Sequence, residues 1–128
     1  MICPKCASKM DRVSFHGIFF DRCEGCKGIW FDGIAHKAMK RIRGAESIDT
    51  GSEAEGHKFD GISQVACPLC GKTMNTLRDK FQPHIRYEAC PSQDGVFFDA
   101  GEFRDFKEET LSDFFKSLAW YFRKGDRA

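Results

Sequence analysis

Seven cysteines in 128 residues fall into two copies of one pattern, and no other feature constrains the fold as much. The first copy reads Cys3-Pro4-Lys5-Cys6, then Cys23-Glu24-Gly25-Cys26. The second reads Cys67-Pro68-Leu69-Cys70, then Cys90, with Gln93 where a fourth cysteine is expected. Two Cys-x-x-Cys turns brought together by a hairpin present four sulfurs to one metal, as in a structural zinc site. Cys3, Cys6, Cys23 and Cys26 make one complete tetrathiolate set for Zn²⁺. Cys67, Cys70 and Cys90 make an altered one. Iron in a rubredoxin-like site uses the same ligands, and spacing does not separate the two metals. The odd count disfavours a disulfide framework, and the lack of a βαβ pattern disfavours thioredoxin-like redox chemistry.

A metal is also what a chain of this length needs. Each half is too short to bury much apolar surface, and modules this small rely on metals or disulfides. Zinc binding contributes on the order of 10 kcal/mol or more to such a fold. The start, Met1-Ile2-Cys3-Pro4-Lys5, lacks the apolar run of a signal peptide, and no stretch approaches the length of a membrane span. A reducing, cytoplasmic location without membrane contact is the expectation.

The two halves align. Cys3, Pro4, Cys6 and Met10 pair with Cys67, Pro68, Cys70 and Met74. After a three-residue insertion, Cys23, Gly28, Trp30, Phe31 and Asp32 pair with Cys90, Gly95, Phe97, Phe98 and Asp99. This agreement reads as an internal duplication. The predicted fold class is a small, metal-stabilised α+β chain of two tandem zinc-ribbon-like modules. Each consists of a β-hairpin and cysteine turns followed by a helix. The predicted organisation is a ribbon with a short basic helix over 1–43, a linker over 44–61, a second ribbon over 62–109, and a C-terminal amphipathic helix over 110–128.

The segments differ in charge. Residues 1–43 carry nine Lys/Arg and four Asp/Glu, residues 44–60 one and five, and residues 61–128 ten of each, which sums to the net +1. Four thiolates around Zn²⁺ reduce the first half further, to a modest basic patch. The acidic, Gly- and Ser-rich stretch from Gly44 to Gly61 reads as a solvated linker.

Local patterns fill in each half. Asp11–Phe15 and Ile18–Arg22 read as strands around a His16–Gly17 turn. Asp32 and Asp99 precede helical patterns and read as N-caps, Asp99 with Glu102 as a capping box. A basic helix is predicted over Gly33–Arg43, with Ile34, Ala38 and Ile42 as its apolar stripe. From Leu111 to Lys124 the large apolar residues Leu111, Phe114, Phe115, Leu118, Tyr121 and Phe122 recur at helical spacing. This helix either covers the ribbons or docks a partner or a second copy, making a homodimer.

The altered site admits three outcomes. A further residue completes it, with Asp94, His84, Glu102 and His57 as candidates; water completes it; or it holds no metal. A neutral Gln93 amide is a poor zinc ligand, so metal there is expected to bind more weakly or not at all. Asp94 is the candidate nearest in sequence. An open three-cysteine zinc would support a hydrolase or a metal or thiol sensor. The chain shows no paired acid and base to go with it, so the expectation is that it is not an enzyme.

The run Cys-Pro-x-Cys, hairpin, Cys-x-x-Cys-x-Gly-Ile-Trp-Phe-Asp resembles the transcription-factor zinc-finger family, a zinc ribbon of the transcription factor IIB type. The first half carries it at Cys3, Pro4, Cys6, Cys23, Cys26, Gly28, Ile29, Trp30 and Asp32, but lacks the Gly-Glu pair that usually follows. The second half carries Cys67, Pro68, Cys70, Gly71, Cys90, Pro91, Gly95, Val96, Asp99, Gly101, Glu102 and Phe103, but not the fourth cysteine. The resemblance implies a zinc ribbon, and ribbons contact both proteins and nucleic acids. The expected function is a zinc-binding, non-enzymatic adaptor with a protein partner. The alternative is a nucleic-acid-binding transcriptional regulator, weakly supported, using Lys37, Lys40, Arg41 and Arg43 with Phe19 or Phe20 stacking on bases.

Overall fold

A computed structural model of the chain describes residues 1–59, 61–62, 64–79 and 85–107. The predicted helix over Leu111–Lys124 and the candidate ligand His84 lie outside the described residues.

Strands β1 (Met10–Phe15) and β2 (Ile18–Cys23) form an antiparallel hairpin in the register Phe15↔Ile18 to Met10↔Cys23. Its two-residue turn is His16–Gly17, both at positive φ (50° and 80°). A type I′ turn requires that conformation, and its twist matches the strands it joins. Strand β3 (Ile29–Asp32) pairs with β2, and β4 (Asn75–Arg78), β5 (Arg86–Ala89) and β6 (Gly95–Phe98) repeat the arrangement in the second half.

The two halves share one sheet. Its order is β1-β2-β3-β6-β5-β4, and the seam is an antiparallel pairing of β3 with β6. Trp30 sits opposite Phe97, flanked by Ile29↔Phe98 and Phe31↔Val96. Exchanging the aligned residues of the two halves reproduces the same pairs, so the contact is self-complementary, like a two-fold interface between subunits. The aromatic pairs that end each cysteine pattern are thus paired central strands.

Alternation along β3 and β6 sends side chains to both faces, and both faces are covered. On one face Ile29, Phe31, Val96 and Phe98 pack with Phe20, Met39, Ala45, Ile48, Phe103 and Phe106. On the other, Trp30 and Phe97 pack with Met10, Met74, Val65 and five cysteines. Full burial of each central aromatic contributes roughly 1.5–3 kcal/mol. Two glycines make room for the crossed aromatics. A Cβ on Gly28 would collide with the Phe97 ring, and one on Gly95 with the Trp30 indole.

Several local expectations are corrected. The first helix, α1, is Ala35–Lys40 and buries His36 and Met39, while Ile34 is 69% exposed and Ala38 is exposed. Its N-cap position is Ile34, with no side-chain cap. Asp32 instead accepts hydrogen bonds from Trp30 Nε1 (2.8 Å) and Arg12 (3.0 Å). The indole and guanidinium lie on the same face of the sheet, and the bond from the guanidinium is a charge-assisted pair.

The stretch read as a solvated linker is packed. Ala45–Ile48 forms a 3-10 turn with Ala45 and Ile48 buried. Ser52 and Glu55 form a complete capping box on helix α2 (Glu53–His57). Buried Asp49 accepts from the N–H groups of Gly101 (2.9 Å) and Arg104 (3.0 Å), and so caps the helical segment 102–107. Arg104 returns hydrogen bonds to the carbonyls of Asp49 and Gly51. Asp49 therefore supplies carboxylate capping at that terminus from a distant part of the chain. Asp99 Oδ2 is 2.7 Å from Lys5, and the Glu102 carboxylate accepts from the Arg86 N–H.

Candidate metal centres

Backbone turns place the first four sulfurs. The Cys3 carbonyl accepts from the Ala7 N–H (3.0 Å), and Ala7 takes φ 63°, which folds Cys3 and Cys6 toward one point. The Cys23 N–H donates to the Gly28 carbonyl (2.8 Å), closing the loop that carries Cys26. Cys3 Sγ lies 3.7 Å from Cys26 Sγ, and Cys6 Sγ lies 3.3 Å from Cys23 Sγ. All four sulfurs fall within 4.8 Å of one another. Four Zn–S bonds of about 2.3 Å set neighbouring sulfurs roughly 3.8 Å apart, so the donor set fits zinc. Cys3, Cys23 and Cys26 are buried and Cys6 is half-buried. The Cys26 thiol beside Cys3 holds Cys3 well below the usual thiol range, at about 5, against the opposing effect of burial. That hydrogen bond, with burial, pushes the Cys26 thiol up. All seven cysteines are free of disulfides.

The second cluster contains Cys67, Cys70, Cys90 and Asp94, again within 4.8 Å of one another. Cys70 Sγ is 3.5 Å from Cys90 Sγ. Asp94 Oδ2 lies 3.8 Å from Cys67 Sγ and 3.6 Å from Cys90 Sγ. A tetrahedral zinc with bonds of about 2.3 Å to sulfur and 2.1 Å to oxygen sets S and O roughly 3.6 Å apart. Of the four candidate completing residues, Asp94 is in the cluster, while Glu102 and His57 are not. His57 and Glu102 instead line a cleft with Glu53 and Asp105, and that cleft includes no cysteine.

Charge is organised between the clusters. Lys5, inside the first Cys-x-x-Cys turn, has a side chain that is 0% exposed and bridges Glu88 (2.9 Å) and Asp99 (2.7 Å) in the other half. Burial pushes the Glu88 carboxyl up, and Lys5 opposes it. In the first half the aligned carboxylates Asp21 and Asp32 share Arg12, at 3.1 and 3.0 Å. Sequence reading missed Lys5, because the position between two cysteines carries no signal of its own and its aligned partner, Leu69, is exposed.

The nucleic-acid candidates divide between core and surface. Phe20 is 1% exposed and belongs to the core. Lys40 lies 3.7 Å over the Phe106 ring centroid and 3.9 Å from Asp79. Lys37, Arg41 and Arg43 are exposed, and Phe19 is 54% exposed with Arg12 over its ring.

Residues 2–34 match the family model described as transcription factor zinc-finger, a zinc ribbon of the transcription factor IIB type. This span holds all four cysteines of the first cluster and the whole of β1 to β3. No curated protein and no solved structure matches the chain. Among the described residues, no helix is long and apolar enough to cross a membrane.

Proposed function

We propose that this chain is a zinc-binding, non-enzymatic interaction protein. In this reading two zinc ribbons, related by duplication and corresponding to residues 1–43 and 62–109, share one sheet and offer their outer surfaces to a protein partner in a reducing, cytoplasmic compartment. The observation that carries it is the four-sulfur cluster of Cys3, Cys6, Cys23 and Cys26, whose spacing fits zinc and whose span matches the zinc-ribbon family. Zinc there supplies a structural tie, holding the two turns of a hairpin too small to close by apolar burial alone. The mirrored strand order and self-complementary seam support the duplication. A hydrolase needs an open metal position, and the Asp94 carboxylate, within 4.8 Å of the three sulfurs, argues against one. The segment 110–128 is a further surface for a partner or a second copy.

The competing reading is nucleic-acid binding through α1. Phe20 is in the core and Lys40 is engaged by Asp79 and the Phe106 ring, which leaves Lys37, Arg41 and Arg43 as the exposed cations on and after α1. Fluorescence anisotropy with single- and double-stranded oligonucleotides across a salt series separates the two. Contacts to several phosphates weaken steeply with salt. The interaction-protein reading expects only weak binding, unchanged when the three cations are replaced by alanine. Tight, salt-steep binding lost in that variant would sink it in favour of the regulator. Elemental analysis of anaerobically purified protein decides between zinc and iron.

A further inference from the structure

We infer that Asp94 is a true metal ligand, and that Cys67, Cys70, Cys90 and Asp94 form a second zinc site that binds more weakly and exchanges more readily than the four-cysteine site. The chain then carries one permanent and one exchangeable divalent ion. This rests on the zinc-binding reading above.

The backbone supports the assignment independently of the sulfur distances. The loops after Cys23 and Cys90 have the same length and the same closing hydrogen bond, Cys23 N–H to Gly28 and Cys90 N–H to Gly95, at 2.8 and 3.0 Å. Inside them the turn is shifted by one residue. In the first loop the left-handed residue is Lys27 (φ 64°), four after the cysteine; in the second it is Gln93 (φ 64°), three after. The amides around the leading sulfur differ as well: Cys26 N–H bonds Cys23 Sγ, and Ser92 N–H bonds Cys90 Sγ, both at 3.4 Å. The second loop therefore reverses one residue early, closed by Gln93 N–H to the Cys90 carbonyl (3.0 Å). Gln93 occupies the reversal itself, and the next side chain, Asp94, arrives where Cys26 stands in the first loop. The lost cysteine is replaced by a carboxylate one position later, delivered by a changed turn.

Chemistry sets the order of affinity. Three thiolates and a carboxylate carry the same formal charge as four thiolates, so the site keeps the electrostatics of a zinc centre. Zinc is borderline-soft, and carboxylate is a harder ligand than thiolate. Cys70 is exposed and Asp94 only half-buried, whereas three of the four first-site cysteines are buried. Water and chelators reach the second site first.

Cobalt(II) added to the anaerobic full-length apo chain tests this, because thiolate-to-cobalt absorption grows with the number of sulfurs bound. The expectation is two steps, the tighter with four-thiolate intensity and the weaker with three-thiolate intensity. Asp94→Ala should weaken the second step by at least about tenfold and leave the first in place. Asp94→Cys should tighten the second step and raise its intensity to that of the first. If Asp94→Ala disturbs folding, the first step will fall as well, and Asp94→Cys, which supplies a fourth thiolate, then decides. A wild-type chain that takes one cobalt only, or an Asp94→Ala chain with an unchanged second step, would overturn the inference while leaving the four-cysteine site standing. A chain that takes none would overturn the zinc reading itself.

Discussion

Lys5 ties the two halves together through one enclosed side chain. It leaves a cysteine turn of the first half and is fully enclosed between two carboxylates of the second. Glu88 Oε2 has no hydrogen-bond partner among the described residues, so Lys5 provides most of that group's compensation. Removing one member of a buried charge cluster strands the others in low dielectric and costs about 3–5 kcal/mol. Lys5→Met should destabilise by that order in denaturant unfolding at neutral pH. The loss should shrink on acidification, as Glu88, already pushed up by burial, takes a proton. Arg12 is the contrast: its side chain is 51% exposed, so Arg12→Ala should cost less than Lys5→Met, mainly through its buried partner Asp21. His36 gives a second prediction. Burial, with Lys37 and Lys40 nearby, holds it down to about 4 from 6.5, and its Nδ1 has no partner among the described residues. A histidine pKa depressed by folding stabilises fully above the unfolded value, and that stability is lost as pH falls toward the folded one. Between pH 6.5 and about 4 the wild type should therefore lose stability relative to His36→Phe, as thermal melts across that range will show.

At the scale of elements, the β3–β6 seam holds the molecule together. Trp30 is 0% exposed, lies opposite Phe97 and belongs to the core that includes cysteines of both clusters. Trp30→Ala should cost about 3–5 kcal/mol, as other large-to-small core changes do, and a double-mutant cycle with Phe97→Ala should show coupling. The elements that were legible in the sequence are those set by near neighbours. The hairpin around His16–Gly17 follows from a turn and its flanking apolar residues, and the tetrathiolate set from two short spacings. The seam was not legible, because pairing residue 30 with residue 97 is a long-range choice that leaves no periodic trace in either strand. The capping of segment 102–107 was misread for a related reason. A local rule assigns the cap to Asp99, whereas the fold supplies Asp49 from about fifty residues away. In 44–59 composition misled, although Ser52-Glu53-Ala54-Glu55 is itself a capping-box signature. Asp94 was legible only as a candidate, since what delivers it is a one-residue shift of a left-handed turn.

For the whole molecule, one sheet with two cysteine clusters makes the halves interdependent. Two independent ribbons would each fold on their own metal, and loss of one would leave the other intact. Here β6 has β3 as one of its two neighbours, and Phe97 shares one core with cysteines of both clusters. The four-cysteine site anchors β2 and β3 through Cys23 and Cys26, and β3 in turn covers the edge of β6 that would otherwise be exposed. An uncovered central strand loses its ladder bonds on that side and the apolar contacts above and below it. Cys26→Ser should therefore unfold more than residues 1–43. In amide NMR spectra of the zinc-loaded variant, resonances from Asn75–Arg78, Arg86–Ala89 and Gly95–Phe98 should lose dispersion together with those of the first hairpin. Loss at the Asp94 site should be less damaging, because the first cluster and the seam remain to hold β6. Second-half amides that stayed dispersed in Cys26→Ser would mean the second ribbon folds alone, with the shared sheet a contact between two stable modules.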